Sequence, residues 1–297
     1  MGIVDEVAPS AAIGGDQISG VTVLRDPQQL RDWCAIQRRA GLRIGLVPTM
    51  GALHLGHLSL VEIAKQNTDV VVVTIFVNPM QFSPTDDLGR YPRTLASDCQ
   101  QCHDHGVQVV FAPDPATMYP QGFQTHVEVE QVATRWCGAS RPGHFRGVAT
   151  VVTKLLNLAL ADVAVFGEKD WQQLAVLRRL ARDLEHPTRI VGGPIVRDQD
   201  GLALSSRNVY LSEAQRAAAL VLHRGVQELR LGARGGQDLR DLEQQFGQAI
   251  EAVGGQVDYV AAVDADTLEP LQQLDRSARV LVAAWFGQTR LLDNGAL

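Results

Sequence analysis

Eight consecutive residues, Val70-Val-Val-Val-Thr-Ile-Phe-Val77, constrain this chain more than any other feature. Side chains alternate between the two faces of a strand, so a run that is apolar at both sets of positions has no face to give to water. Such a run reads as a central strand covered on both sides, the pattern of a parallel sheet flanked by helices.

The surrounding pattern agrees. Further short β-branched runs lie near Arg43–Val47, Val107–Phe111, Val163–Phe166 and Arg189–Val191. Helical periodicity falls near Pro27–Ala40, Gly56–Gln66, Arg93–His105, Gly147–Ala159 and Asp170–Leu184. Strands alternating with helices predict βαβ units. The pattern shifts after Gly192-Gly193-Pro194. Two helices, about Glu213–Leu231 and Asp238–Val253, then precede strand-like runs Val257–Val263 and Ala278–Trp285, and Ser212-x-x-Gln215 offers a capping box. The predicted class is α/β. A Rossmann-like parallel-sheet domain over residues 21–193 is followed by a smaller C-terminal α+β domain over 194–297, and residues 1–20 read as a flexible tail.

Composition narrows the function. The formal charge of −6 argues against broad nucleic-acid binding, which needs a basic face. No apolar run approaches the roughly 20 residues that span a bilayer, so a membrane partner is not expected. The first 20 residues hold no Lys or Arg and no signal-peptide core. Cys34, Cys99, Cys102 and Cys137 are too scattered for a disulfide framework, which suits a reducing cytoplasm.

Three segments carry candidate chemistry. Pro48-Thr-Met-Gly-Ala-Leu-His-Leu-Gly-His57 directly follows the first predicted strand, where open α/β sheets bind ligands and a helix start offers free N–H groups to phosphate. His54 and His57 are three apart, and Gly56 leaves room for a ligand beside the backbone. Gly51-x4-Gly56 has P-loop glycine spacing, but His57-Leu58 stands where Lys-Ser/Thr is required. Phe166-Gly-Glu-Lys-Asp170 ends a later strand, and Lys169 there is a mobile charge for phosphate. Leu204-Ser-Ser-Arg-Asn208 combines two hydroxyls and a guanidinium, a good anion clamp. The three segments are expected to meet in one cleft. Two more stretches, Asn78-Pro-Met-Gln81 and Ser140-Arg-Pro-Gly-His-Phe-Arg-Gly147, add polar groups. Cys99-Gln-Gln-Cys102-His103 has the spacing of a haem attachment site, but it lies in a helical stretch, with no export signal and no second Cys/His pair.

Taken in order, PTMGALHLGH, FVNPMQF, YPRT, RPGHFRGV, FGEKDWQQL and LSSRNVYL resemble the pantoate–β-alanine ligase family, the pantothenate synthetases. The resemblance runs from about Val21 to the C-terminus and includes DADTL and VLVAAWFGQTRLLDN. It implies a nucleotidyltransferase-type Rossmann domain, Mg²⁺ and a homodimer. It also implies a two-step reaction. Pantoate and ATP give pantoyl adenylate and pyrophosphate, and the amine of β-alanine then displaces AMP.

By motif position, Met50, Gly51, Ala52, Leu53, His54, Leu55, Gly56 and His57 line ATP, with both histidines toward the phosphates. Gly167, Glu168, Lys169, Asp170, Val196, Leu204, Ser205, Ser206 and Arg207 also contact ATP. Gln81 and Gln173 hold pantoate, and Arg141 lies near the substrate channel. His57, His54, Lys169 and Arg207 are the expected catalytic donors.

Other readings fare less well. A nucleotidylyltransferase acting on a phosphate-bearing substrate needs more basic residues than a pocket built on Gln81 and Gln173 supplies. A silent nucleotide-binding regulator would be expected to lack Lys169 or a histidine. A redox haem protein would rest on CQQCH alone.

Overall fold

The computed structural model describes residues 14–83 and 86–297. The chain contains, in order, β1 (Asp16–Ile18), β2 (Val21–Leu24), α1 (Pro27–Arg39), β3 (Ile44–Thr49), α2 (Leu55–Asn67), β4 (Val70–Ile75), α3 (Leu95–Asp104), β5 (Val109–Phe111) and α4 (Pro115–Met118). There follow α5 (Cys137–Ser140), α6 (His144–Ala159), β6 (Val163–Gly167), α7 (Trp171–Asp183), β7 (Arg189–Gly193), α8 (Glu213–Arg234), α9 (Leu239–Ala252), β8 (Gln256–Asp264), β9 (Ala278–Phe286) and β10 (Thr289–Ala296).

The chain divides into two compact units. One takes the residues up to Glu128 with Gly143–Phe166 and Leu177–Gly193; the other takes Val129–Pro142, Gly167–Val176 and Pro194–Leu297. The linear division into 21–193 and 194–297 is therefore too simple. Two segments that precede residue 194 join the second unit because Val132, Trp136 and Trp171 pack on that unit's cluster of Ala261, Val263, Leu268 and Leu281. The indole N–H groups of Trp136 and Trp171 donate to Leu268 O and Ala265 O, at 3.0 and 2.9 Å.

In the first unit a seven-stranded sheet has the order β1-β2-β5-β4-β3-β6-β7. Pairing is parallel for β2–β5, β5–β4, β4–β3 and β3–β6, and antiparallel for β1–β2. Val70–Val73 are all buried, as expected for a strand covered on both faces. The strand order reverses between β3 and β6, the switch point beside which such sheets bind ligands.

The tail reading is corrected for Asp16–Ile18, which pair with β2; for residues 1–13 it lies outside the described residues. Neither β1 nor β2 was anticipated. Helix α6 begins at His144, so His144 and Arg146 belong to its first turn and not to a preceding loop. Helix α7 begins at Trp171, after a single 3₁₀ turn at Glu168–Asp170.

The second unit has a three-stranded antiparallel sheet, β10-β9-β8, with α8 and α9 packed on it. Ser212 and Gln215 form the expected capping box of α8. Its helix contact closes over Gly225, where an added Cβ would lie 2.0 Å from Phe246 Cε2 of α9. Helix propensity alone makes Gly225→Ala stabilising by about 1 kcal/mol. Overpacking a core costs about 1–3 kcal/mol. The variant is therefore expected to unfold at lower denaturant than wild type; a raised midpoint would show that the α8–α9 contact yields freely.

Candidate active site

In the first unit the site is built on the loop after β3. Thr49 Oγ1 donates to Thr74 O at 2.7 Å and accepts from Gly51 N at 3.1 Å, which turns the chain at the strand end. The next two residues are left-handed, Gly51 at φ +80° and Ala52 at φ +49°. A non-glycine residue in that region is strained and needs outside support.

Asp98, in the first turns of α3, supplies it. The carboxylate is buried and accepts from Ala52 N at 3.0 Å and Leu53 N at 2.8 Å, while Thr94 Oγ1 donates to both of its oxygens at 3.2 Å. The YPRT stretch thus has a physical role: its threonine orients the aspartate that shapes the loop. The CQQCH helix thus reaches the end of β3 through this residue.

His54 caps α2. Gly56 N donates to its Nδ1 at 3.1 Å, which leaves the proton of the neutral ring on Nε2. The rings of His54 and His57 stack with centroids 4.1 Å apart and planes tilted by 31°. Leu55, between them, is exposed. The loop therefore presents two neighbouring imidazoles and a helix N-terminus together.

Gln81 belongs to the same unit. Its Oε1 accepts from Asn78 Nδ2 at 2.9 Å, and its Nε2 lies 3.3 Å from Met50 Sδ. Asn78 is buried, and its orientation is fixed because Tyr119 Oη donates to its Oδ1 at 2.7 Å and its Nδ2 also reaches Gly147 O at 3.2 Å. Burial pushes the Tyr119 phenol well above its ordinary range, so it stays a donor. Gly147 is required here: a Cβ would sit 2.2 Å from Met80 O.

The other candidates lie in the second unit. Gly167 leads into the 3₁₀ turn at Glu168–Asp170, where Lys169 is half-buried and Glu168 pairs with Arg279 at 3.2 Å. Val196 and Leu204 are brought together, with Leu204 N donating to Val196 O at 3.0 Å. Ser205 caps a short 3₁₀ helix, Ser206–Tyr210, by accepting from Arg207 N at 3.3 Å. That hydroxyl therefore shapes the loop that presents Ser206 and Arg207.

The two glutamines of α7 divide their work. Gln172 is buried and ties Cys137 N, Val132 O and Arg135 O, whereas Gln173 takes no part in that network. Arg141 C-caps α5 and is half-buried. The candidates thus form two sets: Met50–His57 with Gln81 in the first unit, and Arg141, Gly167–Asp170, Gln173, Val196 and Leu204–Arg207 in the second. Among the described residues no three His, Cys, Asp or Glu side chains cluster closely enough to hold a metal ion. None of the described helices is long and apolar enough to cross a membrane.

Residues 22–296 match the family described as Pantoate-beta-alanine ligase. The chain belongs to this family. A pantothenate synthetase of Myxococcus xanthus is 52% identical over 276 residues, which cover 92% of this chain and 94% of that one. One from Sphingopyxis alaskensis is 50% identical over 276 residues, covering 92% and 98%. The crystal structure of pantothenate synthetase from Thermus thermophilus superposes with a TM-score of 0.86 at 46% identity, covering 92% of this chain and 98% of that chain. A pantoate–β-alanine ligase from Francisella tularensis, solved in complex with β-γ ATP and β-alanine, gives 0.77 at 34% identity, covering 93% and 97%.

Asp98 belongs to this candidate site, and motif reading did not single it out. Asp98→Ala leaves two loop N–H groups without their carboxylate, a loss of about 1–3 kcal/mol each. A displaced loop of this kind is expected to slow adenylate formation ~10- to ~100-fold. Asp98→Asn, which keeps one acceptor oxygen, should fall between. Rate assays beside thermal melts check this; a stable Asp98→Ala enzyme of normal rate would show that the loop holds its shape unaided.

Proposed function

We propose that the chain condenses (R)-pantoate with β-alanine to give pantothenate, through a pantoyl adenylate and with release of pyrophosphate and AMP. The observation that carries this reading is the paired His54–His57 rings at the start of α2, beside the β3–β6 switch point, in a chain of the pantoate–β-alanine ligase family.

In the first step a pantoate carboxylate oxygen attacks the α-phosphorus, and the bond to the bridging oxygen of pyrophosphate breaks. Negative charge grows on the equatorial oxygens and on the leaving group. Stabilising it is electrostatic work for preorganised donors. His54 presents its Nε2–H because Nδ1 is occupied by Gly56 N. His57, Lys169 and Arg207 are assigned as the other donors. Met50–His57, Gly167–Asp170, Val196 and Leu204–Arg207 are assigned to ATP. Gln81 and Gln173 bind the hydroxyl and carboxylate groups of pantoate without adding charge, and Arg141 lines the substrate path.

In the second step the neutral amine of β-alanine attacks the acyl carbon. The bond from that carbon to the AMP oxygen breaks, and the amine gives up a proton. No protein nucleophile is needed. Mg²⁺ fits this chemistry as an ion carried on the phosphates, since it is commonly held by substrate phosphates with few protein carboxylates. A homodimer and a cytoplasmic location belong to the same proposal and rest on the family resemblance.

Isotope exchange between pyrophosphate and ATP, without β-alanine, tests the reading. It should require pantoate; exchange that ignores pantoate would overturn the acid assignment. Lys169→Ala separates catalysis from binding. An interaction stronger in the transition state than in the ground state lowers kcat, whereas uniform binding changes only KM. Single-turnover adenylate formation should fall ~10²–10³-fold, with a smaller change in ATP KM. If only ATP affinity falls, Lys169 is a binding residue.

A further inference from the structure

Two consecutive residues of β10, Asp293 and Asn294, are polar and nearly inaccessible, at 3% and 2% exposure. Consecutive strand residues point to opposite faces, and each of these reaches a different loop of the second unit. The Asp293 carboxylate forms a two-pronged ion pair with Arg197, Oδ2 to Nη1 at 2.6 Å and Oδ1 to Nη2 at 2.8 Å. Arg197 follows Val196 at the start of the Val196–Leu204 loop.

On the other face, Asn294 Nδ2 donates to Glu168 O at 2.9 Å and Lys169 O at 2.8 Å. Its Oδ1 accepts from Arg279 Nη1. Arg279, on the neighbouring strand, also pairs with the Glu168 carboxylate and lies over the Trp171 ring at 3.5 Å. Since Arg279 opposes Ala296, two residues along from Asn294, it shares a face with Asn294. The Glu168–Asp170 turn is therefore gripped at two main-chain carbonyls, one carboxylate and the adjoining aromatic ring.

A buried polar group is costly unless satisfied, and here the amide is satisfied by the two carbonyls and by Arg279. The amide has a specific effect: it fixes the main chain on both sides of the Lys169 Cα, one carbonyl before it and one after. A lysine stem is flexible, so the direction in which its ammonium starts is set by that backbone.

We propose that Asn294 is a positioning residue of the ligase reaction, holding Lys169 at the angle from which it serves the reacting α-phosphoryl group. This rests on the assignment of Lys169 to adenylate formation. Asn294→Asp is the sharpest probe. It keeps size and shape and still meets Arg279, but it turns the two-carbonyl donor into an acceptor. Asn294→Ala removes both functions and serves as the second variant.

The readout is a double-mutant cycle on single-turnover adenylate formation by the full-length enzyme, with melting curves for each variant. Asn294→Asp should slow adenylate formation ~10- to ~100-fold with a smaller change in ATP KM. The half-reaction starting from preformed pantoyl adenylate should change less. In a Lys169→Ala background the Asn294 substitution should have little further effect, because residues acting through one another are not additive. Additive losses, equal slowing of both half-reactions, or a normal rate in either folded Asn294 variant would overturn the proposal. If Lys169→Ala alone leaves adenylate formation intact, the underlying assignment fails, and the proposal fails with it.

Discussion

A single buried carboxylate governs the shape of the loop that carries the first unit's candidate residues. The turn after β3 passes through two left-handed residues, one of them Ala52, and it ends by placing His54 as the cap of α2. Asp98 holds the N–H groups of Ala52 and Leu53, and Thr94 holds Asp98. Without that bridge from α3, the alanine strain would relax and the paired histidines would lose their fixed origin. The parallel sheet brings β3 to the switch point, but the carboxylate decides what the strand end presents.

The second unit solves the same problem by a different route. Its candidate phosphate-binding groups are on short turns, and those turns are anchored by buried polar side chains of one antiparallel hairpin. In both units a satisfied polar group at low exposure sets the backbone beneath a mobile donor. A fully satisfied buried network rigidifies the backbone around it, and loss of one partner is costly. This matches a reaction whose barrier is lowered by preorganised charge and that passes through no covalent bond to the protein. The buried thiols fit that picture. Burial pushes Cys34 and Cys102 up to about 12 and Cys99 up to about 11, so they stay protonated and are poor nucleophiles at neutral pH.

Much of this was legible in the residues. The VVVVTIFV run announced a doubly covered strand, and alternating elements announced the parallel sheet. The histidines and Lys169 were singled out because imidazole or charged groups at strand ends carry a recognisable signature, and Arg207 because a guanidinium beside two hydroxyls makes an anion clamp. What escaped had its signal elsewhere. β10 was missed because Arg290, Asp293 and Asn294 interrupt the apolar alternation, and Asp293 and Asn294 are buried where Arg197 and the Glu168–Asp170 turn, distant in sequence, meet them. Asp98 was passed over because an aspartate in a helical stretch is ordinary until its partners, 45 and 46 positions away, are known. The linear domain boundary failed for a similar reason: Trp136 and Trp171 find their burial with residues more than ninety positions downstream.

The central claim is that the pantoate carboxylate itself attacks the α-phosphorus of ATP, so that an acyl adenylate precedes the amide. Pantoate labelled with ¹⁸O in both carboxylate oxygens tests it directly, because cleavage between the acyl carbon and AMP leaves one carboxylate oxygen on the nucleotide. Mass spectrometry of the products should find one ¹⁸O in AMP and none in pyrophosphate for each pantothenate formed. Unlabelled AMP, or label in inorganic phosphate with ADP as the nucleotide product, would contradict the account.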